Sequence, residues 1–289
     1  MQIIKLGTTD QELRAAKLLR GSHSIRIDLP RDDPRAKSLL RAGFVTIPQY
    51  VRTCVALPFE PSGKSRNWRK SLGVSMRAWD SAGARIRLIP GADVPPKMAE
   101  DIYYGLFVRT FYARGISPFG AHNWQTFDRM LRGAILALVE ASGETLGAAL
   151  VAPASTAQRP LTIHGTPLQG RAVEGLIYTL RETSGPMQRA FMVHLGATLR
   201  QEGYDVLILG RDVPWIEPRY APVLIEKMRM ADELALDLGR SDILVNIPRS
   251  TMEERGLALF TVGEAGSIEL TAYGELGTRT VKDLIKAQS

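Results

Sequence analysis

The segment AILALVEASGETLGAALVAP, residues 134–153, consists of two apolar runs that are separated by a short polar break. Each run has the length and composition of a buried strand, and the break contains Gly143. A glycine between two such runs supplies the positive φ that a tight antiparallel turn requires. The segment therefore predicts a β-hairpin.

Helical and strand patterns flank this hairpin on both sides. Residues 97–115 and 123–133 before it predict a helix pair, and residues 160–166 after it predict a third strand. Residues 185–210 then predict a helix that leads into a buried strand. Hairpins mixed with helical connections favour an α+β, or mixed α/β, class with mixed sheets over a strict βαβ series. The same order of elements resembles that of an acyltransferase fold of the GNAT type.

The rest of the chain carries further alternating patterns. Pro48 divides residues 44–59 into two predicted strands. The other predicted strands are 3–6, 24–29, 84–90, 242–248, 256–262 and 267–274, and the other predicted helices are 10–20, 34–43, 64–82, 218–230 and 279–287.

Composition indicates a folded protein with a basic surface. The chain has 289 residues, of which 45% are hydrophobic and 23% charged, and this balance excludes extensive disorder. It lacks the run of about 20 apolar residues that a membrane helix needs, and its start does not resemble a signal peptide, so we expect a cytoplasmic protein without membrane insertion. The single cysteine, Cys54, is expected in the core. A net charge of +7 suits a polyanionic partner.

The basic residues concentrate in PSGKSRNWRKSL, residues 61–72. Gly63, Lys64 and Ser65 match the end of a phosphate-binding P-loop, but Pro58 stands where that motif needs its first glycine. Proline has no N–H to contribute and a fixed φ, which argues against a P-loop.

A helix over residues 64–82 has one cationic face and one apolar face. At 100° per residue, Trp68 and Trp79 fall on the core side. Cations in the first turns of a helix oppose its dipole, and no acid lies between Gly63 and Trp79 to compensate. Phosphates from a partner would compensate instead, although a simply solvated basic face stays open. The predicted phosphate-binding residues are Lys64, Arg66, Arg69, Lys70 and Arg77.

Several segments together resemble the FemX/FemAB family and the wider GNAT-like acyltransferases. They are SRNWRKSLGVSMRAWDSAGARIRLIPGAD (65–93), IYYGLFVRTFYARGISPF (102–119), the hairpin, and RQEGYDVLILG (200–210). The resemblance spans about residues 65–229 and implies tandem GNAT-like lobes, the first formed by 1–92 plus 248–289 and the second by 93–247. It also implies transfer of an amino acid from aminoacyl-tRNA, as co-substrate and without another cofactor, onto an amine to form an amide.

The resemblance leaves several acceptors open. The chain is shorter than the larger cell-wall enzymes of that group and has no long charged heptad segment for a coiled-coil arm. The candidate acceptors are therefore a small peptide, a natural product such as a peptidyl nucleoside antibiotic, and a cell-wall precursor. No pattern in the sequence indicates the oligomeric state.

A second candidate site follows the predicted strand that ends at Gly210. Substrate clefts of open sheets form at such strand ends. The resemblance implies that Lys227 contacts the acceptor or the reacting carboxylate, although Ile225 and Glu226 stand where the family has an aromatic residue. Asp212 or Glu217 can accept the amine proton. The candidate acceptor-binding residues are Arg211, Trp215 and Tyr220.

Two alternatives stay open. One is an acyl-CoA-dependent GNAT N-acyltransferase, although residues 183–199 lack most of the glycine-rich pyrophosphate pattern of that class. The other is a non-catalytic RNA-binding protein, for which the basic face alone would suffice. The four histidines lack ligand spacing, so no metal is expected, and we expect His164 and His194 to be interior residues with satisfied hydrogen bonds.

Overall fold

The computed structural model describes residues 2–60, 64, 66–110, 123–154, 161–163, 166–217, 227, 233–237, 241–262 and 268–272. The strands are β1 Ile4–Leu6, β2 Ile25–Pro30, β3 Val45–Ile47, β4 Val51–Ala56, β5 Arg85–Pro90, β6 Ile135–Ala141, β7 Glu144–Pro153, β8 Leu161–Ile163, β9 Thr166–Pro167, β10 Ala172–Leu180, β11 Val206–Asp212, β12 Trp215–Ile216, β13 Glu233–Asp237, β14 Ser241–Asn246, β15 Ala258–Val262 and β16 Ile268–Ala272. The α-helices are α1 Asp10–Leu19, α2 Ala36–Arg41, α3 Arg66–Ala82, α4 Pro96–Ile102, α5 Trp124–Arg132, α6 Gln188–Gln201 and α7 Arg249–Arg255.

The chain forms two compact units, each assembled from separate stretches. Unit 1 contains Met1–Cys54, Ser155–Gln169 and Arg211–Ser289, and unit 2 contains Val55–Ala154 and Gly170–Gly210. Parallel and antiparallel pairs occur in the same sheets, which confirms the predicted mixed α/β class. The predicted lobes, 1–92 plus 248–289 and 93–247, are a different division of the chain and stay a prediction.

Unit 1 contains a four-stranded sheet in the order β1-β2-β14-β3. β1 runs parallel to β2, and β14 lies antiparallel to both of its neighbours. Alternate residues of β2, among them Ile27, are fully buried against α1 and α2. Thr9 and Glu12 form a capping box that starts α1, and their hydrogen bonds lower the pKa of Glu12. The other strands of unit 1 form two further hydrogen-bonded sets, one in the order β4-β13-β8-β9 and the other in the order β12-β15-β16.

Unit 2 is built on the antiparallel strands β5, β6, β7 and β10. The hairpin between β6 and β7 turns through Ser142, with φ of 52°, and Gly143, with φ of 83°. Two successive positive φ angles define the type I′ turn that suits a two-residue hairpin loop. The predicted hairpin and its glycine turn are therefore confirmed.

Helices α3 and α6 pack against each other in unit 2. Trp68 and Trp79 of α3 are buried, which confirms that they lie on the core side of the helix as predicted. The single cysteine, Cys54 of unit 1, is also buried as predicted. Trp79 lies 4.7 Å from the ring of His194, nearly parallel to it. The expectation for His194 was wrong in one respect, because its buried Nε2 has no hydrogen-bond partner among the residues that the structure describes.

Several elements differ from the sequence-based predictions. The helix predicted over 97–115 begins as α4 and continues as a π-helical turn, Tyr103–Val108. β10, β13 and α7 were not predicted. The predicted helix 279–287 lies outside the described residues, and of the predicted helix 218–230 only Lys227 is described.

Candidate functional site

An ion pair forms at the end of β11 in unit 1. Lys227 Nζ donates hydrogen bonds to Asp212 Oδ1 at 3.0 Å and to Oδ2 at 3.2 Å. The side chains are only 15% and 20% exposed, for Lys227 and Asp212 respectively. Sequence analysis placed these two residues in one site because both follow the same predicted strand, and the structure brings them into contact. Their catalytic roles stay a prediction.

Burial changes the acidity of Asp212. Loss of solvation raises the pKa of this carboxyl group above its ordinary value, while the ammonium of Lys227 acts in the opposite direction. A carboxylate with a raised pKa is a stronger base than an exposed one, and it is positioned by a cation that can also orient a carbonyl oxygen. The pair can therefore accept a proton from an amine.

Arg211 contacts an aromatic ring that sequence analysis missed. Its guanidinium carbon lies 5.3 Å from the ring centre of Tyr50, which immediately precedes β4. Successive side chains of a strand point to opposite faces, so Arg211 and its neighbour Asp212 leave β11 on different sides. The predicted cluster is thus divided between two faces of the strand. No local pattern in the sequence pairs Tyr50 with Arg211.

The other predicted residues of this cluster have different surroundings. Trp215 packs on an apolar cluster of unit 1 that includes Ile47 and Met252, so part of its ring has a structural role. Glu217 is half-buried. Tyr220 lies outside the described residues. The proposed contacts of Trp215, Glu217 and Tyr220 with substrate stay predictions.

In unit 2, the parallel strands β10 and β11 pair only over a short length. Their ladder runs from Ala172↔Val206 to Glu174↔Ile208. The register of β10 then shifts between Gly175 and Ile177, and Gly210 of β11 has φ of 87°. A Cβ on Gly210 would lie 3.3 Å from the Gly175 carbonyl oxygen, so the two backbones approach closely there. Such a bulge redirects a strand and is common next to functional sites.

The cationic face of α3 is exposed as predicted. Arg66, Arg69, Lys70 and Arg77 all point to solvent, and within the described part of the chain no carboxylate forms an ion pair with any of them. Arginines elsewhere commonly do have such partners: Arg35 with Asp33, Arg87 with Glu140, Arg132 with Asp128, and Arg249 with Glu253. The first turn of α3 also contains no acid. The positive charge of this face is therefore uncompensated by the described residues.

Behind this face, cations alternate with aromatic rings. Lys64 Nζ lies 5.8 Å from the ring centre of Phe59, whose ring packs edge-on against Trp68 at 5.5 Å. Arg189 of α6 lies 6.0 Å from the Trp68 ring and donates a hydrogen bond to Ser71 Oγ. Sequence analysis missed Arg189. Lys64 is half-buried and belongs to this packed row rather than to the exposed face.

Metal-ligand clusters and membrane-spanning helices are both absent from the described ranges. These ranges contain no group of three or more His, Cys, Asp or Glu residues arranged to hold a metal ion. Among the same residues, none of the helices has the length and apolar character needed to cross a membrane.

Comparison with known proteins gives structural similarities at low sequence identity. No family model matches the chain, and no curated protein does. Among solved structures, the C-terminal domain of a protein described as a lysylphosphatidylglycerol synthetase from Agrobacterium fabrum is 13% identical, with a TM-score of 0.46, over 86% of this chain and 78% of that chain. A structure of FemX is 13% identical, with a TM-score of 0.45, over 85% of this chain and 80% of that chain. A GCN5-related N-acetyltransferase from Anabaena variabilis is 10% identical, with a TM-score of 0.32, over 94% of this chain and 66% of that chain. Because all of these identities and TM-scores are low, the case for a function rests on the residues described above.

Proposed function

We propose that the protein is an aminoacyl-tRNA-dependent aminoacyltransferase that forms an amide bond on an amine acceptor. The acceptor classes are a small peptide, a natural product such as a peptidyl nucleoside antibiotic, and a cell-wall precursor. The observation that carries the proposal is the exposed face of α3, where Arg66, Arg69, Lys70 and Arg77 have no ion-pair partner among the described residues. A nucleic-acid backbone supplies the missing negative charge.

The proposed reaction needs little covalent chemistry from the protein. The amine nitrogen of the acceptor attacks the ester carbonyl of aminoacyl-tRNA, the C–N bond forms, and the C–O bond to the ribose breaks. In the proposal, Asp212 takes the proton that the nitrogen loses, and Glu217 is a second candidate for this role. Asp212 then passes this proton to the ribose oxygen as the C–O bond breaks, so the terminal ribose leaves as an alcohol and Asp212 returns to its carboxylate form. Because the ester is already activated, alignment of the two substrates supplies most of the acceleration.

Lys227 has a supporting part in this proposal. Its ammonium holds the Asp212 carboxylate through two hydrogen bonds, and it is close enough to Asp212 to orient a carbonyl oxygen at the same place. Arg211, Trp215 and Tyr220 are proposed to contact the acceptor. The proposal requires no metal ion and no cofactor beyond aminoacyl-tRNA.

The test is a direct assay of ester loss. The protein is incubated with charged tRNA pools and candidate amines, and the aminoacyl ester and amide product are quantified, with acetyl-CoA as donor in parallel. We expect amide formation from charged tRNA that depends on Asp212. Turnover only with acetyl-CoA overturns the proposal, and tight RNA binding without turnover of any donor indicates an RNA-binding protein.

A second candidate is an acyl-CoA-dependent N-acyltransferase. The start of α6 favours it, because this helix follows β10 through a short 3₁₀ turn, Glu182–Met187, and its first turn contains Arg189 and no acid. A helix N-terminus of this kind can receive a pyrophosphate. The acetyl-CoA arm of the assay distinguishes the two donors.

A further inference from the structure

Gly73 lies in the middle of the exposed cationic face of α3. At 100° per residue it falls within about 60° of three cations of this face, Arg66, Lys70 and Arg77. We propose that a double-helical RNA contacts the backbone of α3 at Gly73, so that this face binds the duplex part of the RNA partner. The inference rests on the proposed function and adds to it the form of RNA that α3 recognises and the residue on which that RNA lies.

The packing of unit 2 does not require a glycine at position 73. The φ of Gly73 is not positive, and a Cβ built there would have only Nη1 of Arg77 nearby, at an ordinary contact distance of 3.7 Å. Gly196 of the neighbouring helix α6 differs, because a Cβ there would lie 3.1 Å from Leu57 Cδ2 in the core. Glycine destabilises a helix interior relative to alanine. The stability of the fold therefore favours alanine at position 73, and a contact outside the fold accounts for the glycine.

Gly73 leaves a gap in the layer of side chains on this face. Side chains of a helix point back toward its N-terminus, and the guanidinium of Arg77 accordingly lies near the place that a Cβ of Gly73 would occupy. Lys70 lies on the other side of the gap, about 10 Å from Arg77 along the axis at the usual rise of about 1.5 Å per residue. A sugar–phosphate strand that contacts both cations crosses the helix over the glycine. Glycine is the usual residue where a backbone approaches a ligand this closely.

The exposed face carries no aromatic ring on which an unpaired base could stack. Single-stranded RNA is held by aromatic side chains that stand beside a cationic groove. Both aromatic residues of α3, Trp68 and Trp79, are buried, and the exposed uncharged side chain next to Gly73 is that of Val74. Duplex RNA is recognised mostly by its shape and by contacts to phosphates and 2′-hydroxyl groups. A helix face with cations and a bare stretch of backbone therefore suits a duplex better than a single strand.

The experiment measures RNA affinity and thermal stability in the same variants. The probe is an uncharged RNA hairpin that copies a tRNA acceptor arm, and binding is followed by fluorescence anisotropy. Gly73→Ala should weaken binding about three- to tenfold, which is part of the effect of one charge-assisted hydrogen bond. The same change should raise the melting temperature by about 1 to 3 °C. Gly73→Leu, with a bulkier side chain, should weaken binding further. Damage to the fold cannot produce affinity and stability that change in opposite directions.

Two further measurements identify the cause of the weaker binding. Gly73→Ala should leave the slope of log K against log salt close to that of wild type, because every cation of the face is still present. A single-stranded RNA with the sequence of one side of the stem should bind less tightly than the hairpin. Its affinity should also respond less to Gly73→Ala, since a flexible strand can move around a methyl group.

Matched controls come from the same unit. Gly105 is exposed and, like Gly73, meets no steric obstacle to a Cβ, but it lies outside α3. Gly105→Ala should therefore leave the affinity for the hairpin unchanged. Val74→Ala shortens an exposed side chain beside Gly73 and adds no bulk, so it should also bind as wild type.

The possible results separate this inference from the proposed function. Wild-type affinity in both Gly73→Ala and Gly73→Leu overturns the inference, as does tighter binding of the single strand than of the hairpin. If hairpin binding still depends on Arg66, Arg69 and Lys70 in that case, the proposed function stands without it. Hairpin binding that depends on Gly73, with no amide formed from any aminoacyl-tRNA, supports the inference and contradicts the transferase proposal. A wild-type protein that binds neither RNA overturns both.

Discussion

The ammonium of Lys227 lies 3.0 Å from Asp212 Oδ1, in a pair of which less than a quarter of either side chain is exposed. Such a pair is stable only while both charges are present, because removing one leaves the other buried without compensation. Its contribution to folding can therefore be separated from its contribution to catalysis.

The first prediction concerns this pair. Lys227→Gln should lower the free energy of unfolding by about 3 kcal/mol, because the Asp212 carboxylate loses its counter-charge in a poorly solvated place. The double variant Asp212→Asn/Lys227→Gln should recover most of that loss, yet it should remain about 10²- to 10⁴-fold less active than wild type because the base is absent. Denaturant unfolding and single-turnover kinetics measure the two effects. An active double variant excludes Asp212 as the base.

The second prediction concerns the exposed face of α3. The triple variant Arg66→Gln/Arg69→Gln/Lys70→Gln should weaken tRNA binding and reduce the slope of log K against log salt by about 0.7 to 0.9 for each phosphate that the variant no longer neutralises. The same change should slightly stabilise the fold, because these cations oppose the helix dipole. Fluorescence anisotropy over a range of salt concentrations measures the binding slope. Arg85→Gln, an exposed arginine on β5, is the control, and an equal effect from it would indicate nonspecific attraction.

The third prediction is a dependence of stability on pH that arises at His194. Burial lowers the pKa of His194 below the ordinary 6.5, against the opposing effect of Asp80. The unfolded chain then binds a proton near pH 6.5 that the folded protein resists, so stability is complete above that pH and falls as the pH decreases toward the folded pKa. His194→Phe should keep the stack on Trp79 and remove this loss.

Thermal melts between pH 5 and pH 7.5 test it. The control variant is His23→Gln. His23 is exposed, and its Nδ1 is within hydrogen-bond distance of Ser22 Oγ, so this variant should retain the wild-type pH dependence of stability. If His194→Phe loses stability below pH 6.5 as steeply as wild type, another group is responsible.

The fourth prediction contrasts two glycines of unit 2. A Cβ on Gly91 would lie 1.6 Å from the Leu131 carbonyl oxygen and 2.7 Å from that of Ala134. Backbone atoms cannot move aside cheaply, so Gly91→Ala should cost about 3 kcal/mol or more of stability. Gly105, in the π-helical turn, has no atom within 4 Å of the place that a Cβ would occupy, and Gly105→Ala should be neutral or stabilising by up to about 1 kcal/mol. Chemical denaturation compares the two, and similar losses would mean that the close approach at Gly91 can relax.

Local patterns predicted much of unit 2. The spacing of Trp68 and Trp79 identified the buried side of α3, and Gly143 located the hairpin turn, because both features depend on residues close together in the chain. β10 was missed because Gly175 and the shift in register interrupt its alternation. The pairing of β10 with β11 ends at Glu174, directly before this interruption.

The candidate site was only partly predictable for a related reason. Asp212 and Lys227 were predicted to share a site because they follow one strand, and the resemblance singled out Lys227. Tyr50 reaches Arg211 from a distant part of the chain, and only the folded unit brings the two together. Arg189 likewise meets Ser71 and Trp68 only when α6 packs on α3. Interactions of this kind leave no trace in spacing or composition.

The position of β14 between β2 and β3 sets an order of events during protein synthesis. Leu244 pairs with Ile27 on one side and with Thr46 on the other, so β3 and the edge of β2 opposite β1 have no strand partner in this sheet until residue 246 has been synthesised. Unit 2 is complete in the nascent chain at Gly210, well before that point. The growing polypeptide therefore emerges with an apolar strand edge that waits for its partner, and this is the kind of surface that chaperones shield during translation.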